Sequence, residues 1–305
     1  MDKMNLFGSS TKTYTDTKNQ YDANFKKLFS RPEVLAGVLI NVVPELNELS
    51  YSDVCNRIER SEINNSLIKV LDLEDVENDK KIIYDILVLV RLTEGTQPVH
   101  LIFDLEMQRN FRAGYDLEAR AIYYTSRLMA KQPIRDSEFD SLLPVKSVWI
   151  CTNRIPKKLQ DKVINFELVA KDSEGNSLSN SFKHTDLFGF TFILLSKNYD
   201  WNTEDDSVVK YLHAIFSNNL SNKEFNPYLK VTEDIKREVL AVMTEQRQYE
   251  KEMDAVAKDS REEGREEMLI KFVATQKSQG MSEFEIKSNL KLYFELDDDE
   301  ILKFF

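Results

Sequence analysis

The sequence predicts an α/β fold, in the order helix, three strands, helix, strand, followed by an α-helical C-terminal region. Three observations predict it. Residues 82–90 and 99–108 are apolar runs of strand length joined by a segment with the Gly and Pro of a hairpin connection. Apolar residues at helical spacing stand on both sides of them. From about Thr232 the chain becomes rich in charge, and its apolar residues recur at steps of four and three.

Taken in order, residues 1–19 read as a flexible tail, polar and without the basic-then-apolar pattern of a signal peptide. A helix starts near Asp22, with Phe25, Leu28 and Phe29 at i, i+3, i+4. It resumes after Arg31-Pro32 and runs through Val34 to Val43; Pro32 suits its first turn and Pro44 ends it. Leu67 to Leu73 alternates like a strand, and the two longer strands follow on either side of Arg91–Pro98. A second strong helix runs from Tyr115 to Lys131, with Leu117, Ala121, Tyr124 and Leu128 on one stripe. Val145 to Thr152 reads as a buried strand, and residues 166–170 and 190–195 add two more around a loop at 172–181. The main domain then spans 20–200, 201–231 connects, and 232–305 forms the acidic helical region. In that region Ile235, Val239, Val242, Gln246, Tyr249, Met253 and Val256 trace a heptad-like seam. Packing onto the body, or a short coiled coil making a homodimer through the C-terminal helices, would both use it. Gly264 and Gly280 punctuate the rest, Ser282 to Glu285 reads as a capping box, and Asp297 caps a last helix.

Composition narrows the function classes. The 305 residues are 42% hydrophobic and 30% charged, enough for a sizeable core. No run approaches the roughly 18 apolar residues of a membrane span. Cys55 and Cys151 form neither a disulfide framework nor a CxxC pair, so a reducing cytoplasm is expected. No Walker loop, GxGxxG or GxSxG is present, which leaves nucleotide-cofactor and serine-hydrolase readings without support. His100, His184 and His213 have no zinc-ligand spacing. The net charge of −11 opposes non-specific polyanion binding by the whole surface. Residues 231–305 hold 12 Lys+Arg and 19 Asp+Glu, a net −7, which leaves −4 for residues 1–230. A local basic groove remains compatible with that.

Asp85 and Glu106 are the acids out of place. Each sits in an apolar strand, where a carboxylate loses its hydration and needs an ion pair, a sheet edge or a metal. Alternation puts Asp104, Glu106 and Gln108 on one face of the second strand and Phe103, Leu105 and Met107 on the other. A symmetric hairpin register pairs 85 with 104, and a shift of two residues sets Asp85 beside Glu106. Two carboxylates at that distance repel unless a cation lies between them or one is protonated. Hard oxygen donors of this kind suit Mg2+ or Mn2+ with waters completing the shell, and Gln108 would orient such a water.

A strand Asp, then Glu-x-Gln at the end of the next strand, then a helix, resembles the PD-(D/E)XK nuclease superfamily. The chain is closer still to its Rpn branch of recombination-promoting nucleases and transposases. Asp22-Ala-Asn-Phe25-Lys26-Lys27-Leu28-Phe29, Tyr84-Asp85-Ile86-Leu87-Val88, Glu106-Met107-Gln108-Arg109, Arg120-Ala-Ile-Tyr123-Tyr124-Thr-Ser-Arg127 and the segments at Gly264 and Gly280 carry the resemblance, in order, over most of the chain. It implies a restriction-endonuclease-like core and metal-dependent hydrolysis of DNA phosphodiesters, linked to recombination or mobile elements. Asp85, Glu106 and Gln108 would be catalytic, with Asp85 and Glu106 holding Mg2+ or Mn2+. Gln108 stands where the superfamily commonly has Lys, so it brings no positive charge, and the site would borrow a cation or turn over more weakly. Asp22 would be the first-helix acid, with Glu33 and Glu45 as alternatives, and Asp72 and Asp104 would lie nearby.

Expected DNA phosphate contacts are Lys80, Lys81, Arg109 and Arg112, with Arg120, Arg127 and Lys131 as a helical stripe at i, i+7, i+11. A solvated face paired with acids such as Glu118 is the plainer reading of that stripe. A rival function is a protein-interaction or regulatory module on an inactive nuclease fold, its acidic tail recruiting a partner. A nuclease acting as a toxin or in phage defence would share the same chemistry.

Overall fold

The structure, a computed structural model, describes residues 22–61, 69, 75–77, 80–82, 84–94, 98–134, 139–182, 184–202, 208–216, 233–294 and 296–305. They fall into a body that ends at Glu245 and a C-terminal unit, Gln246–Phe305.

The body opens with α1 (22–29), α2 (Pro32–Val42) and α3 (Tyr51–Arg57). Phe25, Leu28 and Phe29 of α1 are fully buried, as their spacing predicts. Each such side chain contributes roughly 1.5–3 kcal/mol of burial. Pro32 sits in the first turn of α2, where its missing N–H costs no hydrogen bond. Short β1 (Asp75–Glu77) and β2 (Lys80–Ile82) pair as a separate ribbon. The main sheet follows: β3 (Ile86–Arg91), β4 (His100–Asn110), β5 (Val145–Asn153), β6 (Lys162–Glu167) and β7 (Phe188–Leu194), in the order β3-β4-β5-β7-β6. The inner pairs β4–β5 and β5–β7 are parallel, and the outer pairs are antiparallel.

Both faces of the sheet are covered, and period-two alternation decides which residue meets which layer. Ile86, Val88, Phe103, Leu105, Met107, Val148, Ile150 and Ile193 pack with α1, α2, α5 (Val208–Phe216) and the start of α6 (Glu233–Ser278). The opposite face carries Leu87, Ile102, Trp149, Cys151, Phe190 and Phe192 under α4 (Leu117–Ala130). Asp116 caps α4 by accepting the Ala119 N–H. Its buried stripe is Leu117, Ala121, Thr125 and Leu128, with Tyr124 half-buried at the edge.

Several elements differ from the sequence reading. The run 82–90 is broken: β2 ends at Ile82, β3 starts at Ile86, and Asp85 lies in a bend between them. The strand expected at 166–170 lies earlier, and Leu168 and Val169 are exposed beyond its end. The strand expected over 67–73 falls almost wholly outside the described residues. Helix α5 lies within the segment expected only to connect, and its residues Val208, Val209, Leu212 and Ile215 are core. The seam residues Ile235, Val239 and Val242 join the same core. The side chains of Gln246, Tyr249, Met253 and Val256 are outside the described residues.

In the C-terminal unit, Leu269 and Val273 of α6, Ile286 and Leu290 of α7 (Glu283–Phe294), Leu296, and Ile301 of α8 (Asp298–Leu302) form a small core. Helix α6 runs through Gly264 and stops before Gly280, whose φ of +79° favours glycine. Ser282 and Glu285 exchange bonds across the first turn of α7, and Asp297 and Glu300 do the same for α8. No helix among the described residues is long and apolar enough to cross a membrane.

Candidate active site

The hairpin builds the site. Ile86 pairs with Leu105, so the ladder continued by one residue sets Asp85 opposite Glu106. This is the register shifted by two from the symmetric one. Beyond the last ladder pair, side chains take over from backbone. The Asp85 N–H donates to Glu106 Oε1 at 2.9 Å, and the Met107 N–H donates to Asp85 Oδ2 at 3.0 Å. Each carboxylate thus accepts a backbone donor from the other's strand. Asp85 is partly exposed, whereas Glu106 is buried at 4% exposure.

A third acid stands behind them. Asp104, two residues before Glu106 on the same face, is fully buried. Its Oδ2 accepts the Ser147 hydroxyl at 2.6 Å, and the Ser147 oxygen accepts Trp149 Nε1–H at 2.8 Å. Its Oδ1 meets no hydrogen-bond partner among the described residues. Burial, reinforced by Asp85, raises the Asp104 carboxyl to about 7. Burial also pushes Glu106 well above its ordinary range, with Asp104 and Asp85 adding to it. Protonation of either carboxyl would relieve the repulsion on the other.

Two cations approach the acids. Lys26 of α1 places Nζ 3.3 Å from Asp85 Oδ1 and donates to the Tyr84 carbonyl at 3.4 Å. Arg120 of α4 reaches Gln108 Oε1 at 3.4 Å and donates to Tyr115 Oη at 2.5 Å and Tyr124 Oη at 3.0 Å. Its guanidinium lies 4.8 Å from the Tyr124 ring centre, 5.3 Å from Trp149 and 5.5 Å from Tyr115. Gln108 is fixed from both ends: Oε1 also accepts the Tyr115 hydroxyl at 3.2 Å, and Nε2 donates to the Asn110 carbonyl at 3.1 Å.

The structure therefore brings together Asp85, Glu106, Gln108 and Arg120, with Asp104 adjoining. Asp22 lies one turn before Lys26 on α1, and its Oδ1 pairs with Arg109 at 3.2 Å. Glu33 is in the first turn of α2, where its carbonyl accepts the Tyr51 hydroxyl. Glu45 is exposed in a 3-10 turn, Pro44–Leu46. Arg112 is exposed just after β4, Arg127 is half-buried 6.0 Å from the Tyr123 ring centre, and Lys131 is exposed at the end of α4. Lys80 and Lys81 belong to β2, whose side chains lie outside the described residues, as does Asp72. Of the basic stripe, Arg120 turns inward to the acids. Lys26 is the residue that the strand-centred reading missed; its signal was a lysine one turn after Asp22 in the first helix.

The donor set fits a hard divalent cation. Asp85 and Glu106 supply carboxylate oxygens, and the crowding that raises Glu106 is what such an ion would relieve. Among the described residues no three His, Cys, Asp or Glu side chains form a complete cage. Mg2+ commonly takes one or two carboxylates and keeps several waters.

The site thus consists of an Asp just before one strand, Glu-x-Gln on its neighbour and a covering helix that brings a cation to Gln108. The family model of PD-(D/E)XK nuclease family transposases matches residues 19–277, and the chain belongs to that family. No curated protein and no solved structure matches the chain.

Proposed function

We propose that the protein is a metal-dependent DNA endonuclease acting in recombination or mobile-element processes, with its centre at Asp85, Glu106 and Gln108. The observation that carries the reading is the placement of Asp85 directly across from Glu106, each tied to the other's strand. Held by these two carboxylates, Mg2+ or Mn2+ would polarise a phosphoryl oxygen and lower the pKa of an attacking water. Gln108 orients that water, and its amide is pinned by Tyr115, Arg120 and Asn110. Arg120 supplies the positive charge that an amide lacks, from a partly buried position against three aromatic rings. Lys26 stands on the other side, at Asp85, as a second cation for a phosphate oxygen.

Plasmid nicking with Mg2+ or Mn2+ tests the reading, with wild type compared against Asp85→Asn and Glu106→Gln. Both substitutions are expected to abolish nicking and to weaken Mn2+ binding by calorimetry. Cleavage that survives both would refute the site. A wild-type protein that binds neither metal nor DNA would favour the interaction-module reading, to which Gln108 and the acidic C-terminal region lend support.

A further inference from the structure

Two tyrosines, one at the candidate centre and one farther along α4, are left exposed although both are large rings. Tyr115 is 48% exposed and Tyr123 is 47% exposed. Each has an arginine of α4 over its ring: Arg120 at 5.5 Å from Tyr115 and Arg127 at 6.0 Å from Tyr123. Arg120, turned inward to Gln108, begins a series that Arg127 and Lys131 continue along α4 at i+7 and i+11, so basic and aromatic groups follow one another along the helix. The series begins at the chemistry, because the Tyr115 hydroxyl donates to Gln108 at 3.2 Å.

Basic groups alone would suit any DNA, since phosphate contacts are blind to strandedness. Exposed ring faces are different. In a duplex every base face is already stacked on its neighbours, so a protein ring can stack only on an unpaired base. Alternating rings and cations are the composition of a single-strand track, where bases lie on aromatic faces and phosphates lie along the basic groups. From this pattern we propose that the substrate is single-stranded DNA, with one base on Tyr115 next to the hydrolytic centre and a second on Tyr123 farther along α4. The proposal rests on reading the site as a nuclease and specifies which form of DNA it takes.

Binding without metal separates the two readings. Fluorescence anisotropy in EDTA would compare a labelled single-stranded oligonucleotide with the duplex of the same sequence. The single strand is expected to bind at least about tenfold tighter. Tyr115→Ala and Tyr123→Ala are each expected to weaken single-strand binding by about tenfold, the equivalent of about 1.4 kcal/mol, as loss of one stacked base does. Tyr115→Phe and Tyr123→Phe keep the rings and should bind within about twofold of wild type. Thermal melts check that all four variants fold, which their surface positions favour. Equal or tighter duplex binding would overturn the proposal, as would alanine variants that bind normally. Phenylalanine variants as weak as alanine would also overturn it, because the hydroxyls would then be touching phosphates. If single-strand preference is absent while metal-dependent plasmid nicking persists, the proposal alone falls. If no DNA binds, both fall.

Discussion

Replacing Asp104 by Asn should make the metal-free protein more stable at alkaline pH, against the usual cost of altering a fully buried side chain. Asp104 is held at about 7 in the fold against an ordinary 3.8. The sign follows from the bound proton. Between those values the folded protein keeps it and the unfolded chain has lost it. Stability from this group is therefore fully present below pH 4 and is lost as pH rises through 7. At about 1.36 kcal/mol per unit, the loss by pH 8 is on the order of 4 kcal/mol. Asn has no proton to lose, can still accept the Ser147 hydroxyl, and can donate to Glu106. The gap between Asp104→Asn and wild type should be near zero at pH 4 and open through pH 7, with 4 kcal/mol as its ceiling. Urea unfolding in EDTA, followed by tryptophan fluorescence, measures it, since buried Trp149 is bonded to the same serine. A gap that stays constant from pH 4 to 8, or a variant less stable at pH 8, would refute the reasoning.

Arg120→Met should reduce nicking by roughly a hundredfold with Mn2+ affinity little changed, because the cation acts on developing charge and does not hold the ion; calorimetry and single-turnover rates separate the two. Gly37→Ala would drive a Cβ into the Tyr211 ring, whose hydroxyl is bonded to the Val34 carbonyl at 2.6 Å. A loss of about 1–3 kcal/mol in denaturant unfolding is expected from that overpacking. Arg31 grips Glu238 with two bonds, at 2.5 and 2.9 Å, where α6 begins. Glu238→Ala should therefore cost about 2 kcal/mol in the same assay and expose the start of α6 to limited proteolysis.

The parts of this protein legible in its sequence are those with a strict period. Alternation along β4 put Asp104, Glu106 and Gln108 on one face, and they share it. Helices α1, α2 and α4 announce themselves through spacing and caps. Helix α5 does not, because at 9 residues its pattern, Lys210 and His213 among apolar side chains, is too short to separate a helix from an apolar loop or strand. The break at Asp85 is hidden for a different reason: the apolar residues from Ile82 to Val90 read as one strand around a single acid, and it is the tertiary bonds of that acid to β4 that replace the ladder there. The basic stripe was visible as a spacing, but its division was not. Arg120 is drawn inward by three rings that come from a loop, a helix and a strand. Lys26 meets Asp85 across 59 positions of chain, a tertiary contact without local signature.

The reciprocal bonds between Asp85 and Glu106 have an evolutionary side. Either acid changed to alanine would lose a proposed metal ligand and would also release a backbone N–H at the open end of the hairpin, where no further ladder pair replaces it. If the two acids form the proposed hydrolytic centre, selection for a sound hairpin end and selection for cleavage act on the same two side chains. A descendant that gave up cutting DNA would still be under pressure to keep both acids, or to drift to Asn and Gln, whose oxygens accept the same N–H groups. Within this lineage the amide pair, more than the absence of both residues, is the mark by which lost chemistry should be recognised.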